Sequence, residues 1–161
     1  MKKLGASLLV CGLCSMVGAG VASAADGKFD VSGSGVVACT FGGPPITCNS
    51  AGSASGTLIG NGTFNQTSFV GFPPPCSTGT TPSNGSQNLT AAKGDQLFLN
   101  FAGNACQSGP STYVSTGTYT ITGGTGRFVG ATGSGAFASR IDNPGFGSIS
   151  FTDKGTINLA P

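Results

Sequence analysis

Residues 118–135 read Thr-Tyr-Thr-Ile-Thr-Gly-Gly-Thr-Gly-Arg-Phe-Val-Gly-Ala-Thr-Gly-Ser-Gly. Tyr119 and Ile121 alternate with Thr118, Thr120 and Thr122, the period-two pattern of a strand with one buried face. Gly123-Gly124-Thr125-Gly126 follows, and its three glycines accept the positive φ that a tight reversal needs. The exit strand places Phe128, Gly130, Thr132 and Ser134 on one face and Val129, Ala131 and Gly133 on the other. Residues this small let a sheet bend sharply or let another backbone approach. Closing a small barrel requires such curvature.

Outward from this hairpin the chain keeps the same character. On the N-terminal side, Gln96–Phe101 carries Leu97, Leu99 and Phe101 on one face and is entered through a Gly94-Asp95 turn. Gln87–Ala92 reads as a short strand, Thr63–Phe72 as another, and Ser55–Gly60 as the second strand of the chain. The first begins at Phe29, with Val31, Gly33, Gly35 and Val37 in phase, and Gly42-Gly43-Pro44-Pro45 breaks it. Residues 73–85 and 104–110 have the composition of loops, the first of them a lid or a surface excursion. On the C-terminal side, Ala136–Ile141 continues the exit strand up to an Asp142-Asn143-Pro144-Gly145 turn. Ser148–Thr152 and Thr156–Leu159 are the last strands, joined by Asp153-Lys154-Gly155. No window holds a 3.6-residue apolar period, and 29 glycines oppose helix. About eight short strands mean an all-β barrel or sandwich.

The first 24 residues have the form of an export signal. Lys2-Lys3 open it, an apolar stretch runs from Leu4 to Val21, and Ala22-Ser23-Ala24 is an A-x-A cleavage site. Cleavage there leaves one domain of 137 residues, 25–161, long enough to bury a core. It also removes two of the seven cationic residues, so the remaining five balance five aspartates. No basic cluster is left to attract nucleic acid or an anionic membrane surface. Nothing later is long and apolar enough to span a bilayer as a helix. Cys11 and Cys14 belong to the leader. Cys39, Cys48, Cys76 and Cys106 remain, and an even number in an exported chain reads as two disulfides with three possible pairings. Cys39–Cys48, which brackets the Gly-Gly-Pro-Pro turn, and Cys76–Cys106, which ties two long loops, are the favoured pairs.

The segment Gly123-Gly124-Thr125-Gly126-Arg127-Phe128-Val129-Gly130-Ala131-Thr132-Gly133 resembles the GG(S/T)G-x-F-x-x-A-x-G signature of the allene oxide cyclase and dirigent superfamily. It is also similar to secreted bacterial proteins with the same barrel. The close match covers about eleven residues, with looser similarity from Phe29 onward. The resemblance implies a single antiparallel eight-stranded barrel around an apolar cavity, here stabilised by disulfides. Cyclases of that superfamily use a buried glutamate, which this chain lacks. Its dirigent members orient radicals with cavity aspartates and arginines, roles for which Asp95 and Arg127 are the available residues.

The missing residue types bound the chemistry. There is no histidine, no glutamate and no tryptophan. Ser-His-Asp and Cys-His catalysis and histidine-based zinc sites are therefore excluded. Asp95, Asp142 and Asp153 fall at expected turns, where aspartate usually bonds its own backbone. The Gly-Thr-Gly-Arg-Phe run lacks the Lys-Ser/Thr pair of a phosphate loop. Arg127 and Arg140 either face solvent or hold an anionic group. The phenylalanines are core or, in a wide enough barrel, cavity lining, with Tyr113 and Tyr119 adding polar contacts. The expectation is an exported, non-catalytic barrel without cofactor, periplasmic or extracellular, that either binds a small apolar molecule, with Tyr113, Tyr119, Arg127 and Asp95 as the candidate contacts, or acts as an extracellular structural module. A cyclase- or dirigent-like isomerisation catalyst is the alternative, and it requires a buried aspartate facing the cavity. A pilin-like or adhesin subunit is a third class, requiring an open groove for a donor strand.

Overall fold

The structure, a computed structural model, describes residues 25–160, so the leader-like segment lies outside the described residues. Alternation of apolar and polar residues gives eight strands: β1 Ala25–Thr40, β2 Ile46–Gly56, β3 Gly60–Val70, β4 Thr81–Thr90, β5 Gln96–Gly109, β6 Thr112–Gly124, β7 Thr132–Asp142 and β8 Gly147–Leu159. Each strand pairs antiparallel with the next, and β8 returns to β1 to close a barrel. Closure runs the length of both strands, with Val31 opposite Asp153 and Gly33 opposite Phe151. Every strand is paired on both sides, so no edge is left as a template for aggregation.

The inward face explains the glycine content better than the turns do. Gly35 faces Gly52, Gly103 faces Gly117 and Gly135 faces Gly155 across neighbouring strands. Aromatic rings occupy the space these positions leave. A Cβ on Gly52 would stand 2.9 Å from the Phe64 ring, one on Gly117 2.8 Å from Phe137, and one on Gly85 2.6 Å from Phe101. Phe64 then meets Phe151 edge-on at 4.8 Å, and Phe101 meets Phe137 at 5.1 Å. Bare backbone under crossing rings is how eight strands fill a narrow cylinder.

One end of the barrel is plugged. Ile59, Ala91, Phe128 and Ala131, from the β2–β3, β4–β5 and β6–β7 connections, are buried there. The exit strand begins later than the alternation predicts, because Gly126–Phe128 forms a short 3-10 turn. Gly126 sits at φ +55, a left-handed conformation that side chains resist, and this turn drops Phe128 into the barrel end. Thr125 clamps the turn to β5: the Gln96 N–H donates to its Oγ1 at 2.9 Å, and its own N–H donates to the Gln96 carbonyl at 2.8 Å.

Three further expectations are corrected. β2 starts at Ile46 rather than Ser55, and residues 57–59 form the following turn. β4 and β5 extend through much of the two stretches expected as loops, starting at Thr81 and running to Gly109. Asp153-Lys154-Gly155 lies inside β8 and not at a turn. In each case Ser, Asn, Gly or Asp sits where small or polar side chains are needed inside the wall, so tertiary context overrides composition. Among the described residues no helix is long and apolar enough to cross a membrane. The outward face of the wall carries exposed residues such as Ser32, Ser34, Thr118, Thr120, Ser150 and Thr152, the reverse of the apolar band that lipid requires of a barrel.

Candidate functional site

Inward positions of five strands place Gln66, Gln87, Tyr119, Ser139 and Asp153 around one point on the barrel axis, among Phe101, Phe137 and Phe151. The cavity between them is about 10 Å³, space for about one water molecule. Asp153 is 3% exposed and its register partners, Val31 and Phe137, are apolar. Burial pushes its carboxyl up to about 7. Burial also raises the Tyr119 phenol, with the charges of Asp153 and Asp30 adding to the effect. Asp153 Oδ2, the Tyr119 hydroxyl and Gln87 Nε2 are all buried without a hydrogen-bond partner. The axis is filled at this level, so the interior holds no ligand-sized space there.

The other end of the barrel is where space opens. An apolar pocket of about 110 Å³ lies among Cys39, Ile46, Val70, Tyr113 and Ile141, rimmed by Phe41 and Phe72. Both rim phenylalanines are exposed. The Cys39–Cys48 disulfide forms part of this wall. The Cys76–Cys106 disulfide pins the β3–β4 loop against the end of β5. There the Cys76 N–H donates to the Gln107 carbonyl at 2.9 Å and the Gln107 N–H to the Pro74 carbonyl at 2.8 Å. Both favoured cysteine pairs are thus the bonded ones, and the segment read as a lid or surface excursion is tied down in its middle.

The expected ligand-binding residues do not converge. Tyr113 reaches the open mouth and Tyr119 the middle of the axis. Asp95 and Arg127 meet on the outside of the plugged end, with Nε 3.5 Å from Oδ2. Arg127 also donates to the Leu58 carbonyl and lies 4.9 Å from the Phe128 ring centre. The 3-10 turn sends Phe128 inward and Arg127 outward, so neither Arg127 nor Asp95 addresses a cavity. Arg140 pairs with Asp142 at 2.9 Å on the surface. That hydrogen bond, with a second from the Thr112 hydroxyl, holds the Asp142 carboxyl below the usual carboxylate range. Gly123, Gly124, Thr125, Gly126, Phe128, Gly130, Ala131 and Gly133 build the plugged end and the turn leading to it.

The sequence marks neither Gln66, Gln87 nor Ser139, and it places Asp153 at a turn, whereas the carboxyl lies buried inside β8. A signal existed for Asp153: Ile149, Phe151, Asp153 and Ile157 share one parity, which places the carboxyl on the inward face. No protein-family model matches the chain, and no curated protein matches it.

Proposed function

We propose that this chain is an exported, non-catalytic barrel that binds a small apolar molecule at its open mouth. The observation that carries the reading is the apolar pocket of about 110 Å³ between β1, β2, β3, β6 and β7, with Tyr113 as its polar contact. An apolar cavity of about 150 Å³ holds benzene, and this smaller pocket, open at its rim, takes part of a ring or the end of a longer apolar chain, with Phe41 and Phe72 covering the remainder. The eight-stranded meander and the Gly123–Gly133 hairpin support membership of the allene oxide cyclase and dirigent superfamily. Two disulfides and the leader-like first 24 residues support export. Thermal-shift measurements with benzene, indole and naphthalene test the binding. Stabilisation by at least one of them, abolished by Val70→Phe, is expected. A flat response across the set contradicts the reading.

Asp153 favours a second reading, an isomerisation catalyst. Its carboxyl sits beside an axial cavity and burial keeps it protonated up to about pH 7, as an acid–base residue requires. This reading needs a substrate to reach the axis from the mouth. A bound ligand that shifts the NMR signals of Tyr119 as well as those of Tyr113 would favour it over surface binding.

A further inference from the structure

The outer wall is not uniform around the barrel. On β6 to β8 the outward side chains Thr118, Thr120, Ser134, Ala136, Ser150 and Thr152 are exposed. On β1 to β5 the outward Ala38, Ala51, Thr67, Asn88 and Phe98 are only partly exposed, while Val36, Asn49, Asn65, Ser86 and Asn100 between them are exposed, and together they line a groove of about 970 Å³. Two rungs of paired residues cross it. One runs Val36, Ala51, Asn65, Asn88, Phe98; the other runs Ala38, Asn49, Thr67, Ser86, Asn100. At about 4.8 Å per strand each rung follows an arc of about 19 Å.

The chemistry of the groove is narrow. None of its lining residues carries a charge. Four asparagines offer amide donors and acceptors side by side, and Thr67 and Ser86 add hydroxyls. The Thr67 hydroxyl donates to Asn49 Oδ1 at 2.9 Å, fixing one amide, while Asn88 Oδ1 is covered and has no partner. Apolar surfaces stand at the two margins: Val36 is 69% and Phe146 93% exposed on one side, and Phe98 lies on the other. A ligand that fits is neutral and extended, dense in hydroxyl groups, with apolar C–H faces to lay against phenyl rings. Sugars have that combination. An anionic polymer finds no cation here, and the mostly apolar floor suits the C–H faces of sugar rings while Asn65 and Asn100 stay exposed to meet their hydroxyls.

We propose that this outer groove binds a neutral oligosaccharide chain, with Asn65 and Asn100 bonding hydroxyls and Phe98 and Phe146 packing against ring faces. The site is separate from the mouth pocket and stands whether or not that pocket binds anything. Isothermal titration calorimetry of the folded, disulfide-intact chain against hexasaccharides of glucose, mannose and N-acetylglucosamine tests it, with oligogalacturonate as the anionic counterpart. At least one neutral hexasaccharide binds in the micromolar to millimolar range and oligogalacturonate does not. Asn65→Ala and Phe146→Ala each weaken binding at least tenfold, whereas Thr118→Ala on the opposite wall leaves it unchanged. These side chains face solvent, so the variants fold, and circular dichroism confirms it. Absence of binding to every neutral hexasaccharide overturns the proposal. So does binding that both groove variants leave intact, or a dimer in sedimentation that those variants dissolve.

Discussion

Asp153→Asn is expected to stabilise this protein above neutral pH. The carboxyl is 3% exposed, has apolar register partners on both sides and leaves Oδ2 without a hydrogen-bond donor. Its folded-state pKa of about 7 compares with an ordinary aspartate value of 3.8. Between those two values the unfolded chain has released a proton that the folded chain still holds. Stability therefore falls as pH rises from about 4 to 7 and levels off above that. At roughly 1.36 kcal/mol per pKa unit the full penalty is about 4 kcal/mol, a ceiling that water entry and local relaxation lower. Asparagine keeps the shape and removes the ionisation. Urea denaturation at pH 4, 5, 6, 7 and 8 with disulfides intact measures the effect. The wild-type chain should lose about 2–4 kcal/mol across this range while the variant stays level, so the two agree near pH 4 and diverge by pH 8. The lowered carboxyl of Asp142 acts in the opposite sense and below this window, its contribution being lost only as pH falls under the usual carboxylate range. A wild-type curve that is flat or rises between pH 4 and 7, or a variant with the same slope, would refute the placement of this carboxylate.

Gly117→Ala should destabilise by about 2–3 kcal/mol in chemical denaturation, since the new Cβ would stand 2.5 Å from Gly103 Cα and 2.8 Å from the Phe137 ring. Replacing Cys76 and Cys106 together by serine opens a connection spanning 30 residues and should cost about 3–4 kcal/mol, read from the shift in urea midpoint. Arg127→Ala should cost no more than about 1 kcal/mol, because its pairing with Asp95 is at the surface, and it should leave ligand stabilisation at the mouth unchanged. A large loss of binding in that variant would restore Arg127 as a ligand contact.

The sequence made the barrel legible where large apolar residues alternate. Leu97, Leu99 and Phe101 announce β5, Tyr119 and Ile121 announce β6, and the glycines after Thr122 mark the reversal. It was illegible where the wall is made of small residues. The inward face of β2 is Ile46, Cys48, Ser50, Gly52 and Ala54, and its second half carries no hydrophobic signal because crossing rings from β3 and β8 fill the space. The end of β5 is hidden in the same way: Gly103 and Ala105 look like loop residues until their partners Gly117 and Ser115 are known. Asp153 was lost to a local rule. Asp-Lys-Gly resembles a turn, yet closure against β1 forces β8 through it without a break. The axial polar cluster depends on five strands meeting, and no local pattern carries that information. The cysteine pairs, by contrast, were readable because each brackets or ties segments already marked by proline and glycine.

Seam pairing between the first and last strands is the arrangement on which the plug, the axial cluster and the outer groove all rest. Nuclear Overhauser contacts across that seam measure it directly. Closure predicts cross-strand signals linking Gly33 to Phe151 and Val31 to Asp153, with the amides of both strands slow to exchange. Rapid exchange along β1 and β8 with no contact between them would mean an open sheet, and would contradict the account at its base.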